Sequence, residues 1–164
     1  TNTGAIIELA TAFPGNTGVR PQDITPLAEI LRLNGYNTAA FGKYHETAPW
    51  EVSTAGPFDR WPTRSGFEEF YGFIRGETDQ WNPELWHGTV KVEPPEDPNY
   101  YLTTDLANRA TAWIRSQNAM APDKPFFLYF APGATHAPHQ VPREWIERYR
   151  GRFDAKQPRP RERE

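Results

Sequence analysis

Residues 26–45 read PLAEILRLNGYNTAAFGKYH and predict a helix that is followed directly by a strand. The first half carries apolar residues at helical spacing, namely Leu27, Ile30 and Leu31. Pro26 suits the first turn of a helix, and Asn34-Gly35 is a typical left-handed stop. We therefore expect an amphipathic helix over residues 26–34, capped by Asp23 or Thr25.

The second half of this stretch predicts a strand. Residues 36–41 are mostly apolar or β-compatible, and a glycine stands on each side of them. A short run of this kind, bounded by glycines, is typical of a buried strand. The run ends in Gly42-Lys43-Tyr44-His45, so two basic side chains follow the predicted strand.

A second strand is predicted at Phe126–Ala131, which is apolar at every position and is closed by Pro132. Because no position is polar, we expect a central, parallel strand. The loop over residues 132–142 contains His136 and His139. Helical spacing resumes over Arg143–Arg150.

A helix is predicted before this second strand. Its apolar face consists of Leu106, Ala110, Trp113 and Ile114. Thr103 or Thr104 is expected to cap it, and these apolar residues are expected to join the core. Seven prolines interrupt residues 46–101, where only residues 67–73 predict a strand or a turn.

The alternation of helices and strands predicts an α/β fold with a largely parallel sheet. The 164 residues suit one domain, and 17 Pro with 12 Gly predict long loops. We expect the domain to span residues 1–154. Residues 155–164, with four basic and two acidic side chains, are expected to form a disordered, solvated tail.

Composition excludes several classes of function. The net charge of -3 comes from mixed charges, so no basic field for nucleic acid is expected. The chain has no cysteine, which excludes disulfides, thiolate metal sites and cysteine nucleophiles and leaves the compartment open. No apolar run could cross a membrane. Nucleotide-binding glycine loops, a serine-esterase elbow and a His-Glu-x-x-His motif are absent from the sequence.

The basic residues at the two strand ends are the candidates for a binding site. Ligands of open α/β sheets collect beyond the carboxyl ends of the strands. If the two strands are parallel neighbours, Lys43 and His45 would meet His136 and His139 in one small cationic pocket suited to an anion.

Each of these residues also has a purely structural interpretation. A lysine after a strand is often only solvated, and loop histidines often bond to backbone carbonyls. The spacing of His136 and His139 recurs by chance, and no acidic cluster accompanies it, so no metal site is predicted.

Taken together, the motifs resemble those of the formylglycine-dependent sulfatases, in particular the bacterial arylsulfatases. Residues 31–45 resemble the helix, Gly-Tyr, strand, Gly-Lys-Trp-His signature of that family, with Tyr44 in place of the tryptophan. Residues 56–62, 76–83 and 132–139 resemble further arylsulfatase segments in the same order. The resemblance covers about residues 3–154 and implies an alkaline-phosphatase-like α/β fold, of which this chain would be an internal part.

The resemblance implies a role for each basic residue. Lys43 would bind a sulfate oxygen and help to orient the nucleophile, and His45 would hydrogen-bond the formylglycine hydroxyl. His136 would bind the sulfate ester and protonate the leaving alcohol. His139 would contribute to substrate binding.

Parts of the family's site have no counterpart in the sequence. The formylglycine is made in a Cys/Ser-x-Pro-x-Arg motif, which is absent here, and so are the family's calcium ligands and its later active-site lysine. The formylglycine and the calcium ion would therefore lie outside this chain.

Three functions remain open from the sequence. The chain is expected to be part of an arylsulfatase that acts on a small sulfate ester and is inactive alone. It could instead be a non-catalytic remnant that binds anions, or part of a related phosphoester hydrolase. Uncovered strand edges would make the isolated chain self-associate.

Overall fold

The computed structural model describes residues 20–21 and 23–153. In chain order, the elements are α1 (Leu27–Leu33), β1 (Asn37–Tyr44), β2 (Glu69–Ile74), β3 (Leu85–His87), β4 (Val90–Val92), α2 (Leu102–Met120), β5 (Phe126–Ala131) and α3 (Arg143–Tyr149). Two short 3₁₀ turns, Pro49–Glu51 and Pro62–Arg64, lie between β1 and β2. The predicted tail, 155–164, lies outside the described residues, and the domain boundary at residue 154 stays a prediction.

One mixed sheet organises the described residues, with strand order β4-β3-β2-β1-β5. β1 is parallel to both β2 and β5, whereas β2–β3 and β3–β4 are antiparallel. The prediction of an α/β fold with a largely parallel sheet is therefore confirmed. The two strands predicted from apolar runs, β1 and β5, are parallel neighbours.

The apolar sequence of β5 predicted a central strand, and this prediction is wrong for the described residues. Within the described residues it pairs with β1 and forms an edge of the sheet. Tyr129 is 46% and Phe130 is 41% exposed, because the described helices and loops leave part of this strand uncovered. The central position belongs to β2, whose residues after Glu69 are all buried.

Both predicted helix caps are wrong. α1 begins after Pro26 and α2 after Tyr101, and neither has a side-chain cap bond. At α2 the physical reason is visible, since the helix already begins at Leu102, so Thr103 and Thr104 lie inside its first turn and cannot occupy the cap position.

The sheet is covered on both faces. One face packs against α2 through a cluster that includes Phe41, Tyr71, Phe73, Leu102 and Leu106. The other face packs against α1 and the loop after β1 through a cluster that includes Ala28, Tyr44, Trp61, Phe70 and Trp86. Alternate residues of β1 and β2 enter different clusters, as the two-residue period of a strand requires.

A partly buried carboxylate joins α2 to the sheet. Asp105 accepts hydrogen bonds from the hydroxyls of Tyr71, at 2.7 Å, and Tyr100, at 3.1 Å. Arg109, one turn further along α2, donates to the same carboxylate and lies over the Tyr71 ring. These bonds fix the start of α2 above β2.

The β3–β4 hairpin was not predicted from the sequence. Its strands have three residues each, which is too short for an alternating pattern to be recognised among prolines. Leu85 and Trp86 are nonetheless buried, and Trp86 packs edge-on against Trp61 with ring centres 4.9 Å apart. In the described part of the chain, no helix is long and apolar enough to cross a membrane.

Candidate active site

Three small residues face one another where the parallel strands end. Gly42 of β1 lies opposite Gly72 of β2 and Ala131 of β5. A Cβ atom added to Gly42 would lie 2.0 Å from the carbonyl oxygen of Ala131, and φ of Gly42 is +111°. The backbones therefore approach closely, and the segments after all three strands leave from the same edge of the sheet.

Lys43 and His45 lie at the end of β1. Lys43 is half-buried and His45 is exposed, and both line a cavity of about 330 Å³. Phe67, Phe127 and Tyr129 form much of its apolar wall. Two basic residues thus border a cavity whose wall is largely apolar.

His136 and His139 lie in the loop after β5 and line a second cavity, of about 290 Å³. Nδ1 of His136 lies 2.8 Å from the carbonyl oxygen of Ala137, which is the backbone contact that a purely structural interpretation predicts. Because a carbonyl oxygen only accepts, Nδ1 carries the proton in this bond. Any proton that His136 exchanges with a ligand therefore passes through Nε2.

The sequence predicted that the four basic residues meet in one cationic pocket, and this stays a prediction. All four basic side chains lie in segments at one edge of the sheet, but Lys43 and His45 line one cavity and His136 and His139 line another.

The segment after β2 touches residues of both cavities. A Cβ atom added to Gly76 would lie 3.0 Å from Cε1 of His45. The carboxylate of Glu77 lies 3.4 Å from Nδ1 of His136, and both of these side chains are exposed. Adjacent residues of one segment therefore link the ends of β1 and β5.

Gln140 anchors the far end of the histidine loop. Its side-chain oxygen accepts the backbone N–H of Gln80 at 2.7 Å, and its amide nitrogen donates to Asp79 at 2.6 Å. This donation is the main reason that the pKa of Asp79 lies below its usual value; the backbone N–H groups of Asn82 and Trp81 lower it further, against some desolvation.

Sequence reasoning assigned no role to Gly76, Glu77, Asp79 or Gln140. The first three fall in the 76–83 segment, which carries part of the resemblance, and that was the signal available for them. No sequence signal indicated a role for Gln140, because its hydrogen-bond partners are 60 and 61 residues away along the chain.

No group of three or more histidine and carboxylate side chains suited to a metal ion occurs within residues 20–21 and 23–153. The sequence also offers no cysteine or Ser-x-Pro-x-Arg that could become a formylglycine.

Comparison with known proteins identifies the family. The Sulfatase family model matches residues 4–163. The chain is 32% identical over 143 residues to an arylsulfatase of Klebsiella aerogenes, a match that covers 80% of this chain and 28% of the relative. It is 30% identical over 155 residues to arylsulfatase J of Mus musculus, covering 84% of this chain and 23% of the relative.

A solved structure shares the fold of this chain. The structure of the putative sulfatase yidJ from Bacteroides fragilis superposes with a TM-score of 0.61 at 22% identity, over 82% of this chain and 30% of that one. The chain therefore belongs to the sulfatase family. It spans about a quarter of the length of the curated relatives named above, and its sheet is part of a sulfatase domain.

Proposed function

We propose that the protein containing this chain hydrolyses a sulfate ester to an alcohol and sulfate, as an arylsulfatase. The observation that carries the proposal is the parallel pairing of β1 with β5 in a sulfatase-family chain. This pairing puts Lys43 and His45 at the same sheet edge as His136 and His139, where a substrate of an open α/β sheet would bind.

Lys43 is proposed to bind a sulfate oxygen. Its half-buried position strengthens the attraction between its ammonium group and the anion, because charges interact more strongly where water is partly excluded. The same charge would offset the negative charge on the sulfate oxygens as the ester bond breaks. His45 is proposed to contact the nucleophile on the other side of the sulfate.

His136 is proposed to bind the ester and to act as the general acid. As the bond between sulfur and the bridging oxygen breaks, Nε2 would give its proton to that oxygen, and the alcohol would leave neutral. The bond from Nδ1 to the carbonyl oxygen of Ala137 supports this assignment, because it holds the ring with Nε2 available for the exchange. His139 is proposed to line the space for the bound ester.

In the sulfatase family the nucleophile is a formylglycine and the metal is calcium, and neither is matched by residues of this chain. The proposal therefore assigns both to other parts of the protein. It follows that the 164 residues alone would bind an anion without hydrolysing the ester.

The second candidate function is a non-catalytic remnant that binds anions at Lys43. A phosphoester hydrolase of the same superfamily is the third outcome that the experiment must separate. All three predict anion binding, and they differ in turnover and in the ester that is turned over.

The deciding experiment measures hydrolysis of 4-nitrophenyl sulfate and 4-nitrophenyl phosphate, with calcium present. It compares the 164-residue chain with the full-length gene product co-expressed with a formylglycine-generating enzyme. We expect sulfatase activity in the full-length protein only, lost in His136→Ala. Activity on the phosphate alone supports the phosphoester hydrolase, and activity on neither ester supports the remnant.

A further inference from the structure

We propose that Gln140 is a positioning residue that holds the histidine loop, and with it His136, in the orientation needed to protonate the leaving group. The inference rests on the proposed function. Its structural basis is a hydrogen-bonded clamp between Gln140 and the segment formed by Asp79 and Gln80.

The clamp uses both ends of one amide group. The side-chain oxygen of Gln140 accepts the backbone N–H of Gln80 at 2.7 Å, and its nitrogen donates to Asp79 Oδ2 at 2.6 Å. The orientation of the amide is unambiguous, because a backbone N–H can only donate and an ionised carboxylate can only accept. No other orientation of the group satisfies both partners.

The partners of Gln140 are themselves held firmly. Gln80 is only 6% exposed, its carbonyl oxygen accepts the backbone N–H of Leu102, and its side chain accepts the hydroxyl of Thr103. The other oxygen of Asp79 accepts two backbone N–H groups of its own turn, at 2.8 and 2.7 Å. The clamp thus ties the loop to the start of α2, which is fixed to the sheet.

Besides the clamp, few contacts join the histidine loop to the rest of the described chain; the Tyr101 hydroxyl donates to the backbone oxygen of Gln140 at 3.4 Å. His136 is 52% exposed in its side chain and pairs with Glu77, itself 60% exposed, at 3.4 Å. An exposed pair of this kind contributes little to order. The near end of the loop is fixed at Gly133, where an added Cβ atom would lie 2.7 Å from the Phe73 ring. Gln140 supplies the anchor at the far end.

The consequence is a specific kinetic pattern. A general acid matters most when the leaving group is a poor one, because a good leaving group departs without a proton. Phenol is a weaker acid than 4-nitrophenol, so phenyl sulfate needs the proton more than 4-nitrophenyl sulfate does. Loosening the loop should therefore slow the hydrolysis of phenyl sulfate more than that of 4-nitrophenyl sulfate.

The test measures kcat of the full-length gene product on both esters. We expect Gln140→Ala to lower kcat on phenyl sulfate by about 10-fold or more, because misplacing the general acid removes part of its contribution. On 4-nitrophenyl sulfate we expect kcat to fall by less than about threefold. His136→Ala should give the same pattern with a larger effect. Gln117→Ala is the matched control, since that glutamine accepts a hydrogen bond from Asn37 elsewhere in the fold, and its effect should be equal on the two esters.

A rescue variant separates positioning from simple loss of structure. Gln140→Glu should be worse than Gln140→Ala, because the new carboxylate faces that of Asp79. Adding Asp79→Asn should restore the clamp, since the new amide can donate to Glu at position 140 while its oxygen keeps the backbone N–H groups of Trp81 and Asn82. The double variant should recover the wild-type ratio of the two kcat values.

The outcomes distinguish this inference from the proposed function. If the wild-type protein hydrolyses neither sulfate ester, the proposed function fails and the inference falls with it. If the wild type hydrolyses both, and Gln140→Ala slows both equally or the double variant fails to restore the ratio, the positioning role is overturned while the sulfatase proposal stands.

Discussion

His45 lies against Gly76, and the fit between them leaves no room for a methyl group. A Cβ atom added to Gly76 would come within 3.0 Å of Cε1 of the imidazole. Because Gly76 follows β2 and His45 follows β1, this contact joins the segments that leave two parallel strands. The position of a proposed catalytic histidine therefore depends on a residue that carries no functional group.

Gly76→Ala should displace His45 by a few tenths of an ångström. The imidazole is exposed, so it can move at small cost to stability. We expect the kcat of the full-length protein on 4-nitrophenyl sulfate to fall by about 10-fold, since small misplacements of catalytic groups are costly, and the melting temperature to change little. A variant with wild-type kcat would show that the position of His45 is not critical.

Gly42→Ala should destabilise the fold strongly. The new methyl group would overlap the carbonyl oxygen of Ala131, and φ of +111° is unfavourable for alanine. We expect the free energy of unfolding in urea to fall by about 3 kcal/mol or more. Gly35→Ala is the matched control, because its φ is +87° with no atom near the added Cβ, and it should cost about 1 kcal/mol. Equal costs would contradict the close approach of β1 and β5.

Stability should fall at alkaline pH. Burial is the main cause that raises the pKa of the Tyr44, Tyr71 and Tyr100 hydroxyls, and nearby carboxylates add to it. Below a pH of about 10, the usual phenol pKa, these hydroxyls keep their protons in the folded and in the unfolded chain, so their full contribution to the free energy of unfolding is present. Above it the unfolded chain loses protons that the folded chain keeps, so the free energy of unfolding decreases as the pH rises.

An ultraviolet titration checks this prediction. Three of the seven tyrosines should ionise only as the protein unfolds, and Tyr71→Phe should reduce that number to two. Ionisation of all seven in the folded protein, with unchanged circular dichroism, would contradict the burial of these hydroxyls.

The pKa of Asp79 should report on the clamp directly. In the folded protein it lies below the usual value, chiefly because Gln140 donates to the carboxylate. Gln140→Ala should raise it towards the ordinary value, as measured by carboxyl carbon NMR. The stability that the clamp contributes is present above a pH of about 4 and is lost as the pH falls through the lowered pKa. The variant should therefore lose less stability on acidification than the wild type.

The 164-residue chain should self-associate in solution. Tyr129 and Phe130 on the edge strand β5 are exposed, and an uncovered edge with apolar side chains favours pairing with another chain. Tyr129→Lys should shift sedimentation towards the monomer. Met120→Lys, at the end of α2 and 83% exposed in the wild type, is the control and should not. A sharp monomer peak for the wild type, with cooperative melting, would contradict the prediction.

Much of the fold followed from local patterns. The helical spacing of Leu106, Ala110 and Trp113 predicted α2, and the glycine-bounded run of residues 36–41 predicted β1. These elements could be predicted because their apolar residues recur at the period of the structure that they form. The β3–β4 hairpin could not be predicted, since strands of three residues each are too short to show an alternating pattern.

The sequence by itself determined the α/β class, the elements α1, β1, α2, β5 and α3, and the resemblance to sulfatases, because each depends on residues that are close along the chain. Only the tertiary structure decided that, among the described residues, β5 pairs with β1 alone and that Gln140 bonds to Asp79. The physical reason is that these contacts join residues that lie far apart along the chain. Local periodicity predicts a helix or a strand, but it does not specify which distant segment packs against it.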